Sequence, residues 1–116
     1  MPGRSLLLLM VMLLGVGCDD AEPVATNLAA LSAFQQDFNG RHVIVSGTLR
    51  TFDNPRHYWI ENEALNRVAL DVANLEGNLD LASLTGLELV VQGTFRYDPA
   101  AGRRVEVLEV QTAPER

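Results

Sequence analysis

The chain has 116 residues, with nine basic residues that are all arginine, fifteen acidic residues and a formal net charge of −6. A chain of this length forms one small domain. Its acidic balance argues against nucleic-acid binding that depends on a basic stripe facing phosphates. The single cysteine excludes an internal disulfide.

Residues 1–17 have the layout of an export signal. Arg4 precedes an apolar run at 6–14, which is too short to span a bilayer, and small residues lead to Cys18. The segment resembles a bacterial lipoprotein signal, although Gly15 stands where that family usually has leucine. The resemblance implies that Cys18 is acylated and that the protein is anchored in the cell envelope, facing the periplasm, at either membrane. The alternative is a secreted protein with a free thiol.

Two segments precede the predicted strands. Residues 18–26 are polar and contain proline, which is typical of a tether. Residues 27–39 place Leu28, Leu31, Phe34 or Gln35, and Phe38 at helical spacing and predict one amphipathic helix of about three turns. Its apolar stripe can cover the open end of a barrel or lie on a membrane surface. The absence of basic residues on its polar face favours the barrel.

From residue 40 onward the hydrophobic period changes from helical to strand-like. Alternation and β-forming residues predict five strands, at 40–50, 57–62, 67–72, 87–97 and 103–111. A short helix is predicted at 79–86, and turns are predicted at 53–55 and 98–102. The barrel thus extends over 40–112, and residues 113–116 form a tail.

The first and fourth predicted strands are nearly the same sequence. "GRHVIVSGTLR" at 40–50 and "GLELVVQGTFR" at 86–96 are identical at five of eleven positions. A repeat architecture needs at least three copies, and the segments that follow do not match, so the two segments do not indicate a repeat. Glycine normally weakens a strand interior unless a bulge or tight coil requires it, which marks Gly47 and Gly93 as structural glycines.

Three strands, a short helix and a final hairpin follow the order of an OB-fold barrel. From Leu28 to Gln111 the chain resembles the OB-fold domains of small bacterial envelope proteins, relatives of the tRNA-anticodon-type OB family. The resemblance lies in "GxxVxVxGTL", "YWIEN", "RVALDV" and "GxxLxVxGTF". Because the first strand of an OB barrel pairs with the fourth, the resemblance implies that the two similar strands are neighbours. We therefore predict a mainly β protein. Its core is a five-stranded Greek-key OB barrel with a short helix between the third and fourth strands, preceded by one amphipathic helix.

OB barrels present their second and third strands, flanked by the first and last hairpin loops, to oligonucleotides, oligosaccharides or peptides. A tryptophan beside arginine can stack against a base, a sugar ring or a peptide side chain. Strand alternation leaves open whether Trp59 or Tyr58 faces the core, and the arginines could equally form weak surface ion pairs. The predicted binding face consists of Arg56, His57, Tyr58, Trp59, Arg67, Arg103 and Arg104.

No pattern in the sequence indicates catalysis. The chain has two histidines and neither a nucleophile-elbow serine nor a metal-binding motif. A metal site built from Asp53, His57 and Glu61 is conceivable but lacks a spacing signature. The acidic residues are spread singly rather than paired for acid–base work. We expect no catalytic residue, no cofactor and no metal.

The sequence thus predicts a non-enzymatic, lipid-anchored envelope module that binds a protein, peptide or glycan partner. The alternative is a single-stranded nucleic-acid-binding OB domain, which rests on fold analogy alone and is disfavoured by the charge. A small metal-dependent enzyme or metal binder is a more distant alternative.

Overall fold

The structure is a computed structural model that describes residues 22–75 and 79–114. The predicted signal at 1–17 and Cys18 lie outside the described residues. Across the two described ranges, none of the helices has the length and apolar character needed to cross a membrane.

The described chain is mainly β, with short helices before and between the strands. Its elements are β1 (Val24–Ala25), α1 (Leu28–Ala33), α2 (Gln35–Phe38), β2 (His42–Phe52), β3 (His57–Glu61), β4 (Arg67–Asp71), a 3-10 helix (Leu81–Leu84), β5 (Glu88–Asp98) and β6 (Gly102–Thr112).

One sheet of six strands, in the order β1-β2-β3-β4-β6-β5, closes on itself. Closure depends on the length of β2, which pairs with β5 through residues 42–48 and with β3 through residues 48–52. Strands β4 and β6 run parallel, whereas the other pairs within the ring are antiparallel. The five strands of the ring, β2 to β6, follow the predicted order.

The N-terminal region differs from its prediction. Val24 and Ala25, inside the predicted tether, form β1 and pair in parallel with β2. The predicted single helix divides at Phe34, whose backbone (φ −124°, ψ 42°) leaves the helical region and whose N–H donates to the Ala30 carbonyl. Leu28 and Leu31 are buried and Phe38 packs partly against the core, whereas Phe34 is 57% exposed, so the apolar stripe is interrupted at Phe34.

The predicted helix at 79–86 is a single 3-10 turn. Its hydroxyl groups bond to the backbone within the turn, since Ser83 Oγ donates to the Asp80 carbonyl and Thr85 Oγ1 to the Ala82 carbonyl. Such local bonds compete with a continued helix. Leu81 is buried, and the turn therefore contributes one side chain to the core.

The core lies inside the ring and contains only apolar residues. Every strand of the ring contributes inward side chains at alternate positions, as period-two patterns require. The buried residues are Leu28, Leu31, Val43, Val45, Leu49, Ile60, Val68, Leu70, Leu81, Leu89, Val91, Phe95, Val105 and Val107. Leu28 and Leu31 come from α1, which therefore packs its apolar side against the barrel.

The two similar segments pair with each other in an antiparallel register. Val45 lies opposite its own counterpart Val91, and Gly47 lies opposite Leu89. Gly93 and Val43 occupy the same positions in the two segments as Gly47 and Leu89 with the segments exchanged, and they also lie opposite each other. The prediction of neighbouring strands is confirmed, and the pairing adds a local twofold relation centred on Val45 and Val91.

The same relation holds at the two ends of the pairing. The Gly40 N–H donates to the Phe95 carbonyl at 2.7 Å, and the Gly86 N–H donates to the Leu49 carbonyl at 2.8 Å. Gly40 and Gly86 both have a positive φ, of 87° and 92°, a conformation that glycine adopts without a steric penalty. The repeated glycines that open each segment thus make equivalent turns into equivalent strands.

The two interior glycines allow close approach of a neighbouring strand. A Cβ at Gly47 would lie 2.9 Å from Leu28 Cδ1 and 3.0 Å from Ile60 Cβ. A Cβ at Gly93 would collide with the Glu106 carbonyl, next to a bulge where β6 has one residue more than β5. Both positions therefore exclude a side chain for packing reasons.

Candidate ligand-binding groove

The outer face of β2, β3 and β4 forms the candidate site. Ile60 is fully buried, so its neighbours Trp59 and Glu61 point away from the core. The structure thereby answers the question that alternation left open. Tyr58 packs partly against the core, and Trp59 belongs to the outer face while remaining half-buried.

A groove of about 450 Å³ crosses this face between the first and last hairpins. Ala69 of β4 lies directly opposite Trp59 of β3, and its methyl group leaves space beside the indole ring. Phe52 at the end of β2 pairs with His57 at the start of β3. The groove is lined by Phe52, His57, Tyr58, Trp59, Arg67, Ala69, Gly102 and Arg103.

Three rings and one guanidinium group in the groove form a continuous series of contacts. The His57 ring stacks on the Trp59 ring with centroids 5.4 Å apart and planes 29° apart. Phe52, 64% exposed, meets His57 edge-on at 6.1 Å. The Arg67 guanidinium lies 5.6 Å from the centroid of the Trp59 ring, within cation–π range. The groove therefore offers an apolar surface with a cation at its side.

Glu61 binds the indole from the same face of β3. The Trp59 Nε1–H donates to Glu61 Oε1 at 3.1 Å, and Arg50 Nε donates to Glu61 Oε2 at 3.1 Å. These two hydrogen bonds hold the pKa of Glu61 below its usual range, and the bond from Trp59 has the larger effect. Glu61 is therefore ionised at neutral pH and accepts a bond from each neighbour.

Six of the seven arginines in the described ranges divide into two groups, and the seventh, Arg41, neither forms an ion pair there nor lines the groove. Four of them lie in ion pairs with carboxylates, namely Arg50 with Glu61, Arg56 with Asp53, and Arg96 and Arg104 with Glu106. Arg67 and Arg103 line the groove, and neither has a carboxylate partner among residues 22–75 and 79–114. The groove is thus more cationic than the net charge of the chain suggests.

Arg103 is held by neutral groups. It donates from Nη1 to Gln35 Oε1 at 3.0 Å and from Nε to the Arg67 carbonyl at 3.3 Å. These bonds fix the side chain between α2 and β4 and leave its charge uncompensated. A guanidinium held in this way retains further N–H donors for an anion.

Five residues of the predicted binding face line the groove: His57, Tyr58, Trp59, Arg67 and Arg103. Arg56 lies outside it in the first hairpin, bonded to Asp53 at 2.8 Å. Arg104 is also absent from the lining and bonds to Glu106 at 3.5 Å.

The prediction missed three groove residues, Phe52, Ala69 and Gly102. A hairpin that turns at 53–56 places Phe52 opposite His57, so the turn signal contained this information. Ala69 could be assigned to the groove only from its position opposite Trp59 in the structure.

The residues considered for a metal site are engaged elsewhere. Asp53 accepts from Arg56, and Glu61 accepts from Trp59 and Arg50. His57 Nδ1 lies 2.8 Å from the Pro55 carbonyl. In the described part of the chain, no three His, Cys, Asp or Glu side chains come together as a group that could hold a metal ion. The site offers surfaces for stacking and charge pairing.

No protein-family model matches the chain, and no curated protein matches it. Among solved structures, it is similar to a chain in the crystal structure of the S. pombe Stn1-Ten1 complex. The TM-score is 0.60 at 16% sequence identity, over 79% of this chain and 77% of that chain. At this identity the likeness shows the fold alone. The OB-like fold predicted from the sequence is confirmed at that level.

Proposed function

We propose that the protein is a non-catalytic OB-fold binding module that holds a segment of single-stranded nucleic acid in its aromatic groove. One observation carries this proposal: Arg67 and Arg103, which lack a carboxylate partner among the described residues, line the same groove as the half-buried Trp59 ring, and Arg67 lies 5.6 Å from the centroid of that ring. Aromatic platforms next to uncompensated cations are what binders of single strands use, the rings for bases and the cations for phosphates.

The net charge of −6 opposes the binding of nucleic acid, whereas the local positive charge of the groove favours it. Overall repulsion weakens non-specific binding, whereas the two groove guanidinium groups, which lack an ion-pair partner among the described residues, attract about two phosphates. Two contacts to a single strand correspond to a salt slope of about −1.4 in log affinity against log salt. Affinity should then fall only about sevenfold between 50 and 200 mM salt. Stacking on Trp59, worth about 1–3 kcal/mol per base, would supply much of the remaining affinity.

The second candidate is the module predicted from the sequence, anchored in the envelope through acylated Cys18 and binding a protein, peptide or glycan partner. Two observations favour it. The chain is acidic as a whole, and its structural relative comes from a complex of two named proteins. The same rings can stack on a sugar or on a peptide side chain.

Trp59 is the only tryptophan in the chain, so its fluorescence reports directly on the groove. The full-length protein is titrated with oligo-dT and oligo-dC of about 12 nucleotides, within the range of an OB site, at low and moderate salt. Quenching of Trp59 with a shallow salt slope is the expected result.

The double variant Arg67→Ala, Arg103→Ala should abolish the salt slope. Arg96→Ala and Arg104→Ala together remove the same charge from the ion pairs with Glu106 and serve as the matched control. No response of Trp59 to either oligonucleotide at low salt would contradict the nucleic-acid proposal. Titration with glycan fragments and with peptides then tests the second candidate. Mass spectrometry of the mature N-terminus tests acylation of Cys18.

A further inference from the structure

We infer that Glu61 is a positioning residue for ligand binding, because it fixes the plane of the Trp59 indole ring from outside the groove and occupies its only hydrogen-bond donor. The inference rests on the proposed function insofar as it concerns a ligand. Its geometric part, the immobilisation of Trp59, stands independently of what the ligand is.

The carboxylate of Glu61 joins two strands of the outer face. Its Oε1 accepts from Trp59 two residues earlier on β3, and its Oε2 accepts from Arg50 on β2. The Glu61 side chain is only 15% exposed, whereas that of Arg50 is 47% exposed. Trp59 is thus held at its polar tip by a group that is itself held, while Arg67 and His57 contact its ring.

Immobilisation before binding reduces the entropy lost on binding. A surface tryptophan that must be ordered by its ligand lowers affinity by about two- to tenfold. An indole already held at Nε1 avoids most of this cost. Glu61 therefore contributes to affinity without touching the ligand.

The same bond bears on specificity. Indole has one donor and no acceptor, and Glu61 occupies that donor. Trp59 can then contact a ligand through its ring face but cannot read a hydrogen-bonding edge. Stacking alone tolerates every base, because each base has an aromatic face. We expect Trp59 to contribute equally to binding of oligo-dT and oligo-dC.

Two substitutions separate the hydrogen bond from the charge. Glu61→Ala and Glu61→Gln both remove one negative charge beside Arg50 and Arg67, so their electrostatic effects match. Glutamine retains an oxygen that accepts from the indole, whereas alanine does not. A difference between these two variants therefore reports the positioning of Trp59.

The first measurement needs no ligand. Steady-state anisotropy and acrylamide quenching of the single tryptophan are recorded for the full-length protein and both variants. Glu61→Ala should lower the anisotropy and increase quenching, and Glu61→Gln should remain close to the original protein. If Glu61→Ala does not fold by circular dichroism, Glu61→Asp, whose shorter side chain cannot reach the indole, takes its place with the same expected result.

The second measurement is affinity for oligo-dT. Glu61→Ala should bind about two- to tenfold more weakly than Glu61→Gln. Equal anisotropy in both variants and the original protein would overturn the inference. If the original protein binds no oligonucleotide while the anisotropy differs as expected, the proposed function fails and the positioning of Trp59 stands. If the anisotropy differs but the two affinities are equal, the role of Glu61 in binding is refuted.

Discussion

The hairpin β2–β3 and the hairpin β5–β6 are built on the same plan, yet only the first supplies aromatic rings to the groove. In each, an arginine on the long strand bonds to a glutamate on the partner strand, Arg50 to Glu61 and Arg96 to Glu106. Each long strand also has an interior glycine against that partner. Two residues before the glutamate, the first hairpin has Trp59 and the second has Arg104.

This difference separates scaffold from site. The shared positions make strands, close approaches and ion pairs, and they account for the barrel. The positions that differ supply the aromatic rings of the groove. The residues of the second hairpin that correspond to Phe52 and His57 are Asp98 and Gly102, which are not aromatic. A change at a shared position should therefore alter stability in either hairpin, whereas a change at a differing position should alter binding in one.

The largest expected effect is on stability, at the shared glycines. Gly93→Ala places a Cβ against the backbone carbonyl of Glu106, which cannot move without breaking the sheet. We expect a loss of about 3 kcal/mol or more in the free energy of unfolding, from chemical denaturation. Gly47→Ala meets the flexible end of Leu28 as well as Ile60, and we expect about 1–3 kcal/mol. Thr48→Ala is the control, and equal stability of all three variants would refute the packing argument.

The next effect concerns binding and contrasts Trp59 with Arg104. Trp59→Ala should weaken oligonucleotide binding by about tenfold or more, the value of one stacked base. Because fluorescence is lost with the tryptophan, binding is measured by the anisotropy of a labelled oligonucleotide. Arg104→Ala should bind nearly as well as the original protein, since this arginine lies in an ion pair with Glu106 and does not line the groove. Equal losses in both variants would mean that the two hairpins contribute alike.

A smaller effect is expected from filling the groove. Ala69→Leu places a larger side chain opposite Trp59, on an exposed position of β4. Binding should weaken severalfold, while the free energy of unfolding changes by no more than about 0.5 kcal/mol. Ala100→Leu, on the exposed turn of the last hairpin, is the control for an added apolar side chain. Unchanged binding in Ala69→Leu would show that the ligand does not enter beside the indole.

The smallest effect is the pH dependence that Glu61 adds to stability. Its pKa is lowered in the folded protein, so the unfolded chain binds the proton more readily. The stabilising contribution is therefore fully present above the ordinary value of 4.5 and is lost as the pH falls through the lower folded value. Thermal unfolding of Glu61→Gln between neutral and acidic pH should show a flatter acid limb than the original protein. Parallel curves would contradict this assignment.

Local patterns were sufficient for part of the site. The turn after Phe52 and the β-forming run from His57 predicted a hairpin, and its strands lie where the alternation placed them. The side of Trp59 was undecidable from alternation, because one choice buries Tyr58 with Ile60 and the other buries Trp59 with Glu61. Contacts from α1 and from other strands select Ile60 for the core.

The sequence likewise did not show which arginines form ion pairs with carboxylates. Seven arginines in the described residues have similar sequence surroundings, each with an acidic residue a few positions away. Strand register determines which of them meet a carboxylate. Arg67 lies across from Glu61, but that carboxylate already accepts from Trp59 and Arg50.

The sequence by itself determined the strands, the likeness of two of them and the glycines that mark their interiors, because these follow from local period and composition, and the resemblance to an OB barrel supplied the order and adjacency of the strands. Only the tertiary structure decided the groove: which face Trp59 occupies, which arginines remain uncompensated, and where the N-terminal helix breaks. Those outcomes depend on register and packing between segments far apart in the chain, and no local pattern records such distances.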